Sequence, residues 1–334
     1  NVITLPDGSP IYAGTYHTTT QWNDILKRIV RLKEDNYDGL KEIAANVKNG
    51  VKDVNTIQKQ EEISDFNSEF LNSNIEDWME KWDLEFGGDL AQQKFISPSK
   101  YLFLLNYGRI YQDEKVLSHV KNTLDVIGSS GLNDFIEGGF YRYTVDNEWK
   151  IPHFEKMLYD QAQMISLFSM AYKVFEEQSY MDIVSNTITF LNNKMSSSDG
   201  LYYAAMDADT DGEEGKYYSY EIDELKMISK NTDFDLFLSY YNIDVENPWE
   251  KNRFFLLPNK FNYKKKWMDS NNISKNEISD LITIWERNII KIKEDRTKPR
   301  IDDKITISWN ALSIIGLIDA YDAFKKEEYL SLAE

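Results

Sequence analysis

The densest run of reactive side chains lies between Gly138 and Gln163, reading GGFYRYTVDNEWKIPHFEKMLYDQAQ. His153 is the side chain there whose ordinary titration falls near neutral pH, which suits it to act as a base. Glu155 or Asp160 would orient it or serve as the acid. Pro152 favours a first helical turn, so a helix is expected to begin there. Glu155, Tyr159 and Gln163 would then form a polar stripe at i, i+4 and i+8. Arg142 is the nearby cation, expected to contact substrate. An equally weighted alternative makes His153 a brace for the turn and Arg142 a partner for a carboxylate.

Two acidic stretches offer partners for this segment. Asp207-Ala208-Asp209-Thr210-Asp211-Gly212 opens like a calcium loop, but Tyr218 stands where a bidentate glutamate is required and tyrosine-rich runs flank it. Metal is therefore not expected. Asp207, Asp209, Glu213 and Glu214 are read instead as acid/base carboxylates or acceptors for sugar hydroxyls, with a solvated acidic turn as the equally weighted alternative. Asp302 and Asp303 precede Trp309 and Asn310 at the head of another apolar helix, a position comparable to that of His153 to Asp160. Asp302 is a further acid candidate, and Trp149, Trp309 and Tyr218 are candidates for stacking on sugar faces.

Composition removes other chemistries. The chain has no cysteine and three histidines, His17, His119 and His153. Disulfides, thiolate sites, cysteine nucleophiles and multi-histidine zinc centres drop out. Gly87-Gly88 and Gly138-Gly139 match no nucleotide-binding loop, so no cofactor is expected. A net charge of −18 argues against nucleic acid and anionic membranes as partners. No apolar run is long enough to span a bilayer. Residues 1–10 lack the basic and apolar regions of a signal peptide, and the expected compartment is the cytoplasm, although absent cysteines suit the periplasm equally.

The elements that must carry these residues are mostly helical. Residues 1–16 read as a β-hairpin around Pro6-Asp7-Gly8, followed by helical periodicity from Gln21 to Val47 and a polar linker at 51–65. Beyond it, Ala171-Tyr172, Phe175 and Tyr180-Met181 recur at identical spacing as Ala320-Tyr321, Phe324 and Tyr329-Leu330. A weaker copy starts at Asn106-Tyr107. Each copy is an αα-hairpin whose first helix is apolar nearly all round and so must be covered on every side. Inner helices wrapped by outer ones, an α/α toroid, satisfy this; a linear solenoid is the competing arrangement. Residues 200–258 interrupt the pattern and read as loop and short strands inserted on one face.

The Gly138 to Gln163 segment closely resembles the signature of the spermatogenesis-associated protein 20-like family. Pro6-Asp7-Gly8 with Gly14-Thr15-Tyr16, Lys94-Phe95, Asp207-Ala208-Asp209-Thr210 with Glu214-Gly215, and Asp302-Asp303-Lys304 with Trp309-Asn310 agree with it. Asp89, Leu90, Gln93, Gln161 and Ala311 depart from the family pattern. The resemblance implies that residues 1–50 are the tail of a thioredoxin-like domain and that 66–334 are an incomplete six-hairpin toroid, the chain being an internal piece of a longer protein. That thioredoxin-like domain would be the intramolecular partner. The family's toroid is similar to sugar epimerases and six-hairpin glycosidases. The function expected is thus acid/base chemistry on a small saccharide in a central funnel. The alternative is a non-catalytic binding or scaffold module.

Overall fold

Local signals place several helix starts. The structure is a computed structural model that describes every residue except 16, 57–67, 231 and 259–261, with only the backbone described at 262–265. The chain divides into two compact units, residues 1–73 and 74–334. In the first, β1 (Val2–Thr4) and β2 (Pro10–Ala13) pair antiparallel around Gly8, as their alternation predicts. Helix α1 (Thr19–Asp35) starts on a capping box formed by Thr18 and Gln21, and α2 (Tyr37–Asn55) starts on the Asn36 side chain. Helix α2 runs into the start of the expected linker, most of which lies outside the described residues. Helix α3 (Ser68–Met79) follows.

The second unit is built on three αα-hairpins. Strand β3 (Lys94–Phe95) leads into α4 (Pro98–Tyr111), which returns as α5 (Glu114–Ser129). Strands β4 (Tyr143–Thr144), β5 (Pro152–His153) and β6 (Lys156–Met157) lead into α6 (Leu158–Phe175) and α7 (Gln178–Phe190). A long excursion carries β7 (Ala205–Met206), β8 (Asp209–Thr210), β9 (Glu213–Glu214), β10 (Ser219–Glu221), α8 (Ile222–Ile228), α9 (Phe234–Tyr240), β11 (Arg253–Phe255), α10 (Asn262–Ser270) and α11 (Lys275–Glu294). Strand β12 (Ile301–Asp302) then leads into α12 (Ile307–Phe324) and α13 (Glu327–Ala333). The first helices of the hairpins pack side by side in the order α4, α6, α12. The fold is mainly α, with the hairpin arrangement of an α/α toroid.

The repeat is sharper in the backbone than in the sequence. All three hairpins turn on a left-handed residue, Gln112, Glu176 and Lys325, with φ of 53°, 53° and 54°. Aligned on these caps, Val116 matches Tyr180 and Tyr329, so the weak first copy is offset by one residue from the register expected of it. Helix α6 is buried nearly all round. On α12, by contrast, Ile307, Ile314, Ile315 and Ile318 are exposed, so the expectation of complete cover fails there. The inserted segment also differs from the loop expected: α8 and α9 help build a core with Tyr220, Tyr241, Trp267 and Trp285.

A second repeat precedes α4 and α6. Asp83 and Asp134 each turn a carboxylate oxygen onto two backbone N–H groups, those of Glu85 and Phe86 and those of Ile136 and Glu137. Gly88 and Gly139 close the two loops by accepting from the N–H of Asp83 and of Asp134, both at 2.9 Å. The remaining carboxylate oxygen takes a buried lysine: Lys94 at 2.6 Å from Asp83 and Lys156 at 2.7 Å from Asp134. Each lysine also donates to the first glycine carbonyl, of Gly87 or Gly138, at 2.7 Å. Glycine is required, since φ is +82° at Gly138 and a Cβ there would sit 2.4 Å from the Asn186 carbonyl oxygen.

Two outcomes are expected. Lys156→Met strands the Asp134 carboxylate in the core and should cost about 3–5 kcal/mol in chemical denaturation, whereas replacing both partners by apolar residues should cost much less. Gly316→Ala tests the α6–α12 contact. Alanine gains about 1 kcal/mol of helix propensity, but its Cβ would lie 2.5 Å from the Ala162 carbonyl oxygen. The steric term wins, and the denaturation midpoint should fall.

Candidate functional site

Two small sheets at the heads of the first helices gather the reactive residues. One has the order β3–β4–β5, with Phe95 opposite Tyr143 and Tyr143 opposite His153. Alternation sends Lys94, Thr144 and Pro152 into the core and Phe95, Tyr143 and His153 outward. The outward rings stack, Phe95 on Tyr143 at 4.5 Å and Tyr143 on His153 at 4.9 Å between centroids. The other sheet, β12–β7–β6, brings the Asp207 loop beside the start of α6.

This corrects the helix expected from Pro152. Residues 152–157 are two short strands joined by extended residues 154 and 155, because Pro152 pairs with Thr144 and Lys156 with Met206, and α6 begins at Leu158. Glu155 therefore leaves the proposed stripe. Tyr159 and Gln163 remain on α6, where the Gln163 amide donates to the Tyr159 carbonyl. What replaces the stripe is an alternation: Lys156 is wholly buried while His153 and Glu155 stay accessible.

His153 stands between two carboxylates. Its Nδ1 lies 2.6 Å from Glu214 Oε1 and its Nε2 lies 3.8 Å from Glu155 Oε2. Glu155 and then Glu214 raise the His153 pKa above its ordinary value, against the opposing pull of burial. Glu155 also takes Arg142 Nη1 at 3.0 Å, and Arg142 reaches Tyr159 as well. His153 first and Arg142 second hold the Glu155 carboxyl below its ordinary pKa. So Glu155 is the group that stays ionised, while the histidine is the one that keeps its proton more readily.

Asp160, in the first turn of α6, behaves differently. It is buried and its Oδ2 has no hydrogen-bond partner. Burial, with Glu155 assisting and Arg142 opposing, pushes its pKa up to about 7. Asp209 faces Glu214 across the β8–β9 hairpin, and burial together with Asp207 and Glu214 raises its pKa too. Trp309 meets Tyr159 edge-on at 4.9 Å.

Other expected site residues do structural work. Trp149 is 1% exposed and donates Nε1 to the Phe86 carbonyl, so no sugar reaches its face. Tyr218 is buried against Phe154 and Tyr141. Asn310 clamps Tyr202, accepting its N–H and donating to its carbonyl. Asp302 is held by Lys304 at 2.9 Å with a lowered pKa, which makes it a poor acid at neutral pH. Asp303 is exposed. Sequence reasoning missed Phe95 and Tyr143, and also the two lysine cradles, whose signal was the recurrence of Asp83 to Gly88 as Asp134 to Gly139.

No family model matches the chain. An uncharacterised Caenorhabditis elegans protein is 30% identical over 365 residues, covering 100% of this chain and 50% of that protein. Human spermatogenesis-associated protein 20 is 24% identical over 349 residues, covering 95% of this chain and 44% of that protein. The mouse protein of that name is 24% identical over 374 residues, covering 100% and 46%. Among solved structures, a sugar epimerase from a ruminal bacterium aligns with TM-score 0.37 and 17% identity, over 78% of this chain and 81% of that one. A family 76 glycoside hydrolase from Bacteroides thetaiotaomicron aligns with TM-score 0.37 and 16% identity, over 80% and 54%. The chain spans about half the length of the curated relatives it matches. Along essentially its whole length it is similar to spermatogenesis-associated protein 20, the resemblance read from the segment around His153.

Proposed function

We propose that the cluster around His153 performs acid/base chemistry on a saccharide. The observation that carries this reading is a pair of carboxyl groups kept in opposite protonation states. Glu155 is gripped by Arg142 and His153 and stays ionised, whereas Asp160 is buried without a partner and keeps its proton to about pH 7. Two carboxyls pushed apart in this way divide the base and acid roles between them. Glu155 is then the base, removing a proton from a sugar carbon or from an attacking water. Asp160 is the acid, donating to the oxygen that gains charge. Arg142 and His153 hold Glu155 in place and keep it ionised, which makes them positioning residues. The half-buried Tyr159 and Trp309 rings beside these groups suit the apolar face of a sugar, and the carboxylates suit its hydroxyls.

The reading is tested by turnover of a saccharide panel by wild-type protein, Glu155→Gln and Asp160→Asn. Loss of about 10²–10⁴-fold in either variant, with cooperative unfolding retained, is the expected result. Failure of wild-type protein to bind or convert any saccharide would sink it. A pH series adds a second expectation. Acid donation by Asp160 requires its protonated form, so activity should fall as pH rises through about 7. The same raised pKa means that its stability contribution is complete below its unfolded-state value and is lost as pH rises toward 7. Asp160→Asn should therefore melt higher than wild type at pH 8 while remaining inactive, and the two should converge near pH 4.

A further inference from the structure

Strand β9 sends its two glutamates in opposite directions, as alternation requires. Glu213 meets Lys216 at 3.8 Å and Lys251 at 3.4 Å. Glu214 turns the other way and reaches His153 Nδ1 at 2.6 Å. That approach is built into the backbone. Gly215, with φ of +69°, lies so close to Phe154 that a Cβ there would sit 2.5 Å from the ring. Phe154 is wholly buried and stacks on Tyr218. Adjacent residues of the hairpin thus seat on adjacent residues of the site, Gly215 on Phe154 and Glu214 on His153. The imidazole is fixed from another side as well. Its backbone pairs with Tyr143, whose ring stacks on it at 4.9 Å between centroids. Within that stack, a half-turn of the imidazole would put its carbon Cδ2 against Glu214. The carboxylate therefore selects the orientation that carries Nε2 toward Glu155, 3.8 Å away.

We propose that Glu214 is a positioning residue: it holds His153 by Nδ1, aims Nε2 at Glu155, and keeps the single proton of the neutral ring on Nδ1. This rests on the acid/base reading above and deepens it, since Glu155 is the base there. When both nitrogens carry protons, the ring faces both carboxylates with N–H groups and adds its charge to that of Arg142 beside Glu155. As pH rises the ring gives up one proton, and the shorter contact decides which. The Nδ1 proton stays with Glu214, and the Nε2 proton facing Glu155 leaves. Glu155 then loses a donor and faces a lone pair. The charged and titratable groups around the imidazole are Glu155 and Tyr143, Glu214 and Asp209 on the hairpin, and Arg142 through Glu155. Glu155 first and Glu214 next delay the loss of the second proton to higher pH, against the effect of burial.

The test follows the imidazole resonances of the full chain by NMR as pH is raised through neutrality, which is tractable with three histidines. The signal lost in His153→Gln assigns His153. Above its midpoint, the ring nitrogen shifts of wild-type protein should place the proton on Nδ1. Glu214→Gln removes the charge and should lower the His153 midpoint. Glu214→Ala removes the acceptor too and should move the neutral ring's proton to Nε2, where Glu155 accepts it. Asp211→Asn, on the lysine-paired side of the same hairpin, should change neither. Buried His119, whose pKa burial lowers to about 4, should stay neutral in every variant and so reports an intact core. A wild-type proton on Nε2, an unmoved midpoint in Glu214→Gln, or a proton that stays on Nδ1 in Glu214→Ala overturns the assignment. Where a saccharide is turned over, Glu214→Gln should lower kcat rather than raise KM and shift the alkaline limb of the pH profile to lower pH. An unchanged profile also overturns the assignment. If no saccharide is bound or converted, the acid/base reading falls, and the Nδ1 result alone decides whether Glu214 positions His153.

Discussion

The organisation of the site depends on one buried ion pair. Lys156 reaches Asp134 and the Gly138 carbonyl from a strand of two residues, and it is wholly shielded from water. A lysine in that position is tolerable only because a carboxylate, a carbonyl and the Tyr141 and Phe190 rings surround its ammonium. Pinning Lys156 inward fixes the register of the short segment before α6, and alternation then turns Glu155 and His153 outward. Had the segment been helical, His153, Glu155 and Lys156 would have pointed in three directions around an axis. The pair thus does for the site what a disulfide does in small secreted domains, in a chain that has no cysteine.

Around that fixed point the electrostatics sort the acids by environment. Glu155 is accessible and has two cationic neighbours, so its charge is cheap to keep. Asp160, only five residues on, begins a helix whose walls are Leu158, Ala162 and Met164, and its charge is costly. Residue type would assign the two the same chemistry. Burial and the company of Arg142 and His153 separate them.

Much of the fold was legible in the sequence because hairpin periodicity is a local signal. The caps of α1 and α11, the β1–β2 turn and the matched spacing of α6–α7 and α12–α13 can all be read from neighbouring residues. The candidate site was legible by location rather than by role. His153, Glu155, Asp160, Asp209 and Glu214 do cluster, but Trp149 and Asn310 proved to be structural. A tryptophan beside charged residues looks the same in sequence whether its indole faces a ligand or the Phe86 carbonyl. The strand at Pro152 was hidden for a related reason. Thr144, the partner of Pro152, lies only eight residues back, but Met206, the partner of Lys156, is remote in sequence, and the proline's preference for a first helical turn was the stronger local cue. The glycine pairs were judged against nucleotide loops, whereas their function is to let a backbone carbonyl approach a lysine.

The duplicated cradles also differ from the site in how far apart along the chain their members lie. Lys94 closes on Asp83 across 11 residues and Lys156 on Asp134 across 22. His153 meets Glu214 across 61, and Asn310 clamps Tyr202 across 108. Loop-closure entropy grows with separation, so the cradles cost less to close than the His153–Glu214 contact. The hairpins led by α4 and α6 each follow such a locked loop. The reactive cluster is completed only when the long excursion between α7 and α12 returns to deliver its acidic hairpin to the histidine.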